Sequence, residues 1–223
     1  MSKKAVVILS GGLDSTTCMG IAQNEGYECY PITFDYGQRH KHEVEHAKQV
    51  AAFYKAPQHR IVDLTFLGQI GGSALTDASI DVPDYSGSED IPVTYVPARN
   101  MIFLSLAAAY AEVVGAEVIY IGVSAVDYSG YPDCRPEFIQ SMTQTINLAT
   151  RAGVNEGNLK ILAPLTHLSK AETIKLGLEL NVPYQLTTSC YRGDEVACGT
   201  CDSCQFRLKG FEEAGAKDPI VYR

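Results

Sequence analysis

The chain has 223 residues, 46% of them hydrophobic and 20% charged, and its formal net charge is −8. That length suits one α/β domain with at most a small appendage, and the composition is that of a soluble globular protein. The acidic balance excludes a general nucleic-acid binder, because neutralising phosphates needs a basic face.

In chain order, Met1-Ser2-Lys3-Lys4 precedes an apolar run from Ala5 to Leu9 that is too short for a signal-peptide core or a membrane span. Lys4–Leu9 instead predicts a short buried strand ending at Gly11-Gly12. A helix follows from Ser15 to Glu25, stopped by Gly26. Tyr27–Phe34 reads as a strand despite Pro31. Arg39-His40-Lys41-His42 is basic, but Glu43 and Glu45 follow at once, so it reads as a solvated helix face. Val44, Ala47, Ala51 and Tyr54 recur at helical spacing, and Arg60–Leu64 predicts the next strand. Residues 68–92 are rich in Gly, Ser, Asp and Pro and predict a long loop, a candidate lid. A buried helix is expected over Arg99–Val114, since Met101 to Ala111 is the longest apolar stretch. A strand is expected over Glu117–Val123, a helix after Pro136 and a short strand over Lys160–Leu165. Ser169-Lys170-Ala171-Glu172 fits a capping box that opens a helix running to about Leu180.

Strands alternating with helices predict an α/β fold, a doubly wound parallel sheet covered on both faces. The expected division is a domain over 1–187 and a small C-terminal unit over 188–223. In such a sheet the first strand-to-helix turn is the favoured phosphate site. Here that turn is Ser10-Gly11-Gly12-Leu13-Asp14-Ser15. The glycines let the backbone wrap an oxyanion, the helix start offers free N–H groups, and Ser10, Ser15 and Thr16 add hydroxyls. It is no Walker loop, for no lysine follows the glycines, and Gly-x-Gly-x-x-Gly is missing too. Ser-Gly-Gly-x-Asp-Ser resembles the pyrophosphate (PP) loop of the N-type ATP pyrophosphatases, which split ATP into AMP and pyrophosphate. Asp14 is open to two readings, a helix cap or a residue that helps to place Mg²⁺.

Seven cysteines in an expected cytoplasmic protein do not announce disulfides. Cys190, Cys198, Cys201 and Cys204 are spaced to surround one ion, and a structural Zn²⁺ site is the expectation. Iron–sulfur ligation uses similar spacing, and sulfur transfer through a thiol is a further rival. Cys18 and Cys29 read as core packing. Cys134 lies in the polar loop Asp127–Arg135 beyond a strand, which reads as a binding loop.

Residues 10–18 (Ser-Gly-Gly-Leu-Asp-Ser-Thr-Thr-Cys), 34–40 (Phe-Asp-Tyr-Gly-Gln-Arg-His) and 96–100 (Val-Pro-Ala-Arg-Asn) join the Asp127–Arg135 loop and the four-cysteine tail in one resemblance. Together they resemble the 7-cyano-7-deazaguanine synthase family, over nearly the whole chain and in order. The resemblance implies that 7-carboxy-7-deazaguanine, ammonia and ATP give the nitrile of queuosine biosynthesis through an adenylated carboxylate and then an adenylated amide. It implies ATP, Mg²⁺ and Zn²⁺ as ligands, small molecules as partners and a homodimer. The nucleotide would lie against Leu9, Ser10, Gly11, Gly12, Leu13, Asp14, Ser15, Thr16, Thr17, Cys18 and Met19. Substrate contacts would come from Arg99, Asn100, Asp127, Tyr131, Asp133 and Arg135. Catalysis would rest on Ser10, Asp14, Ser15, Asp127, Asp133 and Arg135. Asp127 and Asp133 are the candidates for removing the last protons, though hydrogen bonding to the deazapurine suits them equally. Two other readings stand beside this one: a tRNA-thiolating pyrophosphatase, and a non-catalytic ATP sensor that would release no pyrophosphate.

Overall fold

Lys4–Ile8 forms β1 because its apolar side chains can serve both faces of a sheet. Val6 and Ile8 enter one buried cluster, while Ala5 and Val7 enter the other. The computed structural model describes residues 3–39, 42–85, 90–124, 130–155, 159–193 and 196–223. Within them follow α1 (Leu13–Asn24), β2 (Glu28–Asp35), α2 (His42–Phe53), β3 (Arg60–Asp63) and the one-turn α3 (Leu67–Ile70). Then come α4 (Arg99–Val114), β4 (Val118–Tyr120), α5 (Pro136–Ala149), α6 (Arg151–Asn155), β5 (Lys160–Leu162), α7 (Lys170–Glu179) and α8 (Asp202–Glu213). All strand pairs are parallel, in the order β3-β2-β1-β4-β5. Successive crossovers move outward from β1 and then return to its other side, so the switch point lies between β1 and β4.

Helices cover both faces. One cluster packs Phe103, Leu104 and Ala107 of α4 and Ile139, Met142 and Ile146 of α5 onto the sheet. There Phe34 stacks on Phe103 with ring centroids 4.1 Å apart. The other cluster holds Cys18, Met19 and Ala22 of α1 with Ala47, Val50 and Ala51 of α2. Cys18 and Cys29 are fully buried, as expected of small apolar packers.

β4 stops at Tyr120, short of the expected Val123, and the cause is local. A Cβ on Gly122 would stand 2.8 Å from the backbone nitrogen of Ser15 and 2.9 Å from the carbonyl carbon of Asp14. The chain leaves the sheet there to pass directly under the start of α1. In the basic stretch His42 is exposed and Arg39 half-buried, while His40 and Lys41 lie outside the described residues. Arg39 donates from Nη2 to the carbonyls of Asp77 and Ile80, both at 2.7 Å, and fastens the 68–92 segment. That segment also buries Ala74, Leu75 and Val82, so its described part is packed down.

Near the C-terminus α8 lies against α7. Arg207 of α8 is 1% exposed and pairs in two-pronged fashion with Asp218, which is 5% exposed (Nε–Oδ2 2.8 Å, Nη2–Oδ1 2.9 Å). Nη1 reaches the Thr187 hydroxyl at 2.8 Å, and Nη2 also donates to the Tyr184 carbonyl at 3.2 Å. Removing one partner strands a buried charge. Asp218→Ala should therefore destabilise the protein by about 3–5 kcal/mol, read from the denaturant midpoint. A change under about 1 kcal/mol would mean that water already solvates the guanidinium.

Candidate active site

The turn after β1 owes its shape to Gly11, which sits at φ +85°. A Cβ there would overlap the backbone oxygen of Glu43 and lie 2.7 Å from the nitrogen of Ala47, so α2 is pressed directly onto the turn. The hydroxyls organise the remainder. Ser15 Oγ accepts from the Ser10 N–H at 3.1 Å, the two hydroxyl oxygens lie 3.0 Å apart, and the Gly12 N–H donates to Ser10 Oγ at 3.1 Å. Gly12 caps α1 without a side-chain bond, so the first amides of that helix face outward with its positive dipole end.

The turn opens onto a cavity of about 480 Å³ at the carboxyl ends of β1 and β4. Of the residues expected at a nucleotide, Leu9, Ser10, Gly12, Leu13, Asp14 and Ser15 line it. Gly11 and the next helical turn do not. Thr16 Oγ1 donates back to the Gly12 carbonyl at 2.8 Å and Thr17 Oγ1 to the Leu13 carbonyl at 2.9 Å, while Cys18 and Met19 are core. On a helix a hydroxyl reaches the carbonyl one turn back, which draws these donors away from the cavity. Asp14 meets a residue that the sequence reading assigned only to a helix cap: Lys170 Nζ lies 2.7 and 2.8 Å from its two oxygens. The capping box at Ser169 holds that lysine at the first position of α7.

Also on the cavity wall, Arg99 opens α4 with its guanidinium 5.7 Å from the ring centres of both Tyr36 and Tyr131. Its Nη1 donates to the Tyr36 hydroxyl at 3.3 Å. Burial opposes the cation, but Tyr36, Tyr131, Asp133 and Cys134 outweigh it and hold the arginine firmly charged. Burial pushes Tyr36 up to about 12, so it faces the cavity as a phenol. Asn100, Tyr131 and Cys134 line the wall beside Arg99.

Asp133 and Arg135 stand elsewhere than expected. Asp133 is buried, accepts the Asn100 N–H at 2.9 Å through Oδ2 and is not part of the cavity wall. It serves the positive end of α4, a structural use for a carboxylate. Arg135 is exposed, off the wall, and its Nε donates to the Pro132 carbonyl at 3.1 Å. Asp127 lies outside the described residues. The wall also includes Glu43 of α2 and, from the last part of the chain, Ser189, Asp202, Ser203, Phe206 and Arg207.

The sulfurs of Cys190, Cys198, Cys201 and Cys204 lie within 4.8 Å of one another, and all four residues are buried. The Cys198 sulfur accepts the N–H groups of Thr200 and Cys201, each at 3.4 Å, and the Cys190 sulfur accepts that of Cys198 at 3.4 Å. Hydrogen bonds, first from the Cys201 thiol, hold Cys190 well below the ordinary thiol range. At Cys198 burial works against the thiolate, but the backbone donors prevail and lower it. Such a cluster of sulfurs, fed by N–H donors, fits a bound metal ion.

Parallel strands in the order 3-2-1-4-5, with Ser-Gly-Gly-Leu-Asp-Ser following the first, give the doubly wound α/β fold with a turn that resembles the PP loop. A 4-thiouridine synthetase, solved in complex with RNA and with bound ATP, shares the fold at TM-score 0.53 and 20% identity. The match covers 96% of this chain, which spans 50% of that one. The family model for queuosine biosynthesis protein QueC matches residues 4–215, and the chain belongs to that family. It is 64% identical over 220 residues to the 7-cyano-7-deazaguanine synthase of Oceanobacillus iheyensis, covering 99% of this chain and 98% of that one. The synthase of Acetivibrio thermocellus matches at the same identity and coverage.

Proposed function

We propose that this protein converts 7-carboxy-7-deazaguanine and ammonia into 7-cyano-7-deazaguanine, using ATP. Full-length identity of 64% to two proteins so named carries the reading. The cavity supports it, because its wall combines an anion-binding turn with a fixed cation, Arg99. The turn amides with Ser10 and Ser15 suit the phosphates, and Mg²⁺ would enter with the nucleotide. Asp14 has both oxygens occupied by Lys170, so its role is to aim that ammonium at the phosphates. Arg99, stacked between two tyrosines, is the cation for the substrate carboxylate, the part the sequence reading divided between Arg99 and Arg135.

A substrate carboxylate is ionised at neutral pH and attacks the α-phosphorus without a base, so the residues have only to orient it and stabilise charge as pyrophosphate departs. Ammonia then displaces AMP to give the amide. A second adenylation, on the amide oxygen, prepares loss of AMP to the nitrile.

The four-cysteine site is read as Zn²⁺. Tetrahedral Zn–S bonds near 2.3 Å set sulfurs about 3.8 Å apart, close to the 3.9 Å between Cys198 and Cys204. Ligands this close leave room for one ion between them, which disfavours a multi-iron core. The role of the ion there is to fasten α8. No described helix is long and apolar enough to cross a membrane. We read the protein as a cytoplasmic homodimer. Exposed Val113, Leu148 and Val154 offer apolar surface for it, and a sedimentation mass of one chain would refute the dimer.

The test is incubation with ATP, Mg²⁺, ammonium and the carboxylate, with mass identification of the product. The expected result is the nitrile, with two AMP released for each. ATP binding with no pyrophosphate release would instead identify a sensor.

A further inference from the structure

Nitrile formation ends by losing a proton from nitrogen, and of the carboxylates picked out from the sequence Asp127 lies outside the described residues while two others already have partners. Asp133 is committed to Asn100, and Asp14 to Lys170. Glu43 differs. It lines the cavity in the first turn of α2, the turn that backs directly onto Gly11, and so flanks the phosphate turn. Among the described residues its carboxylate has no hydrogen-bond or ion-pair partner, and Arg99 is the cation that acts on it. Asp202, another cavity carboxylate, comes from the last part of the chain and adjoins the metal ligand Cys201.

We propose that Glu43 is the catalytic base that accepts the proton in the nitrile-forming step. The inference rests on the reaction assigned above. In the adenylated amide, R–C(=NH)–O–AMP, the N–H bond breaks toward the Glu43 carboxylate. Its electron pair completes the C≡N bond, the C–O bond breaks, and AMP leaves with that pair. Nitrile, AMP and protonated Glu43 account for every atom and charge, and Glu43 then returns its proton to water. No oxidant or further reactant is needed.

The surroundings suit the role. Burial pushes the Glu43 carboxyl up to about 7, against the lowering pull of Arg99. A base of that strength works best near neutral pH. The ionisable groups around it are Arg99 from α4, Tyr36 at the end of β2, and His42, Glu45 and His46 on its own helix. The His46 ring is engaged 2.9 Å from the Leu186 carbonyl.

The experiment follows two readouts in the full-length protein. Glu43→Gln keeps size and shape and removes the base. Nitrile formation from the amide and ATP should fall about 100-fold or more, while carboxylate-dependent ATP–pyrophosphate exchange stays within about threefold. In the parent the nitrile rate should rise with pH and level off above about 7, and the variant should lose that rise. Nitrile formation within about threefold of the parent overturns the proposal, and so does an equal fall in exchange, which would make Glu43 a binding residue. If the variant misfolds, the parent still decides, because a flat profile through neutrality refutes a Glu43 base. A parent that makes no nitrile at all, under any pH, refutes the reaction itself, an outcome distinct from the others.

Discussion

Lys170→Met should lower ATP–pyrophosphate exchange by about 100- to 1,000-fold, the usual cost of deleting one preorganised charge at a reacting phosphate. Two effects act together. The ammonium is lost from the mouth of the phosphate turn, and Asp14 is left there as an unbalanced negative charge 156 residues away in sequence. Lys170 is 16% exposed and Asp14 31%, so solvent screens the pair and it adds little to folding. The melting temperature should accordingly change by only a few degrees. Asp14→Ala should also abolish AMP production, because the lysine is then free to swing into water. Exchange within about threefold of the parent in Lys170→Met would show that the turn amides bind the phosphates alone.

Cys201→Ala should cost more stability than any other single change considered. The purified parent is expected to hold about one Zn²⁺ per chain and to be colourless, since a d¹⁰ ion has no visible absorption. Apparent binding free energies of structural zinc sites, about 10–16 kcal/mol, match or exceed the whole stability of an ordinary domain. Cys201 also precedes α8, so its loss releases a helix that supplies part of the cavity wall. The expected result is a metal-free variant, a melting temperature lower by about 10 °C or more, and lost activity. A brown, iron-bearing parent would replace zinc with a cluster, and a variant of unchanged stability would deny the site any structural role.

How much of this was legible beforehand depends on how far apart the interacting residues lie. The phosphate turn, the four-cysteine cluster and the capping box are local patterns, each written within 15 residues, and all three appear where the sequence places them. The Lys170–Asp14 pair joins elements from opposite ends of the sheet domain, and no local pattern announces such a contact. Glu43 was hidden by its neighbours. A run of alternating charges reads as a wet helix face, and only the close approach of α2 to Gly11 turns one of those charges inward. Asp133 lies off the cavity wall at the start of α4, since a carboxylate in a polar loop can serve a helix terminus as well as a ligand. Thr16 looked like a phosphate donor because a linear reading ignores that helical hydroxyls bond backwards.

The cavity wall that starts at Ile8 and Ser10 is finished by Ser189, Asp202 and Phe206. A ribosome therefore delivers the two sides of the site at opposite ends of synthesis. At ~5–20 residues per second, roughly 10–40 s separate them. During that interval the phosphate turn exists without Lys170 and without α8, and the cavity lacks that part of its wall. Stalled chains ending before Lys170 should show no exchange. Message truncated at its 3′ end should then yield inert protein, not an enzyme that consumes ATP without making product.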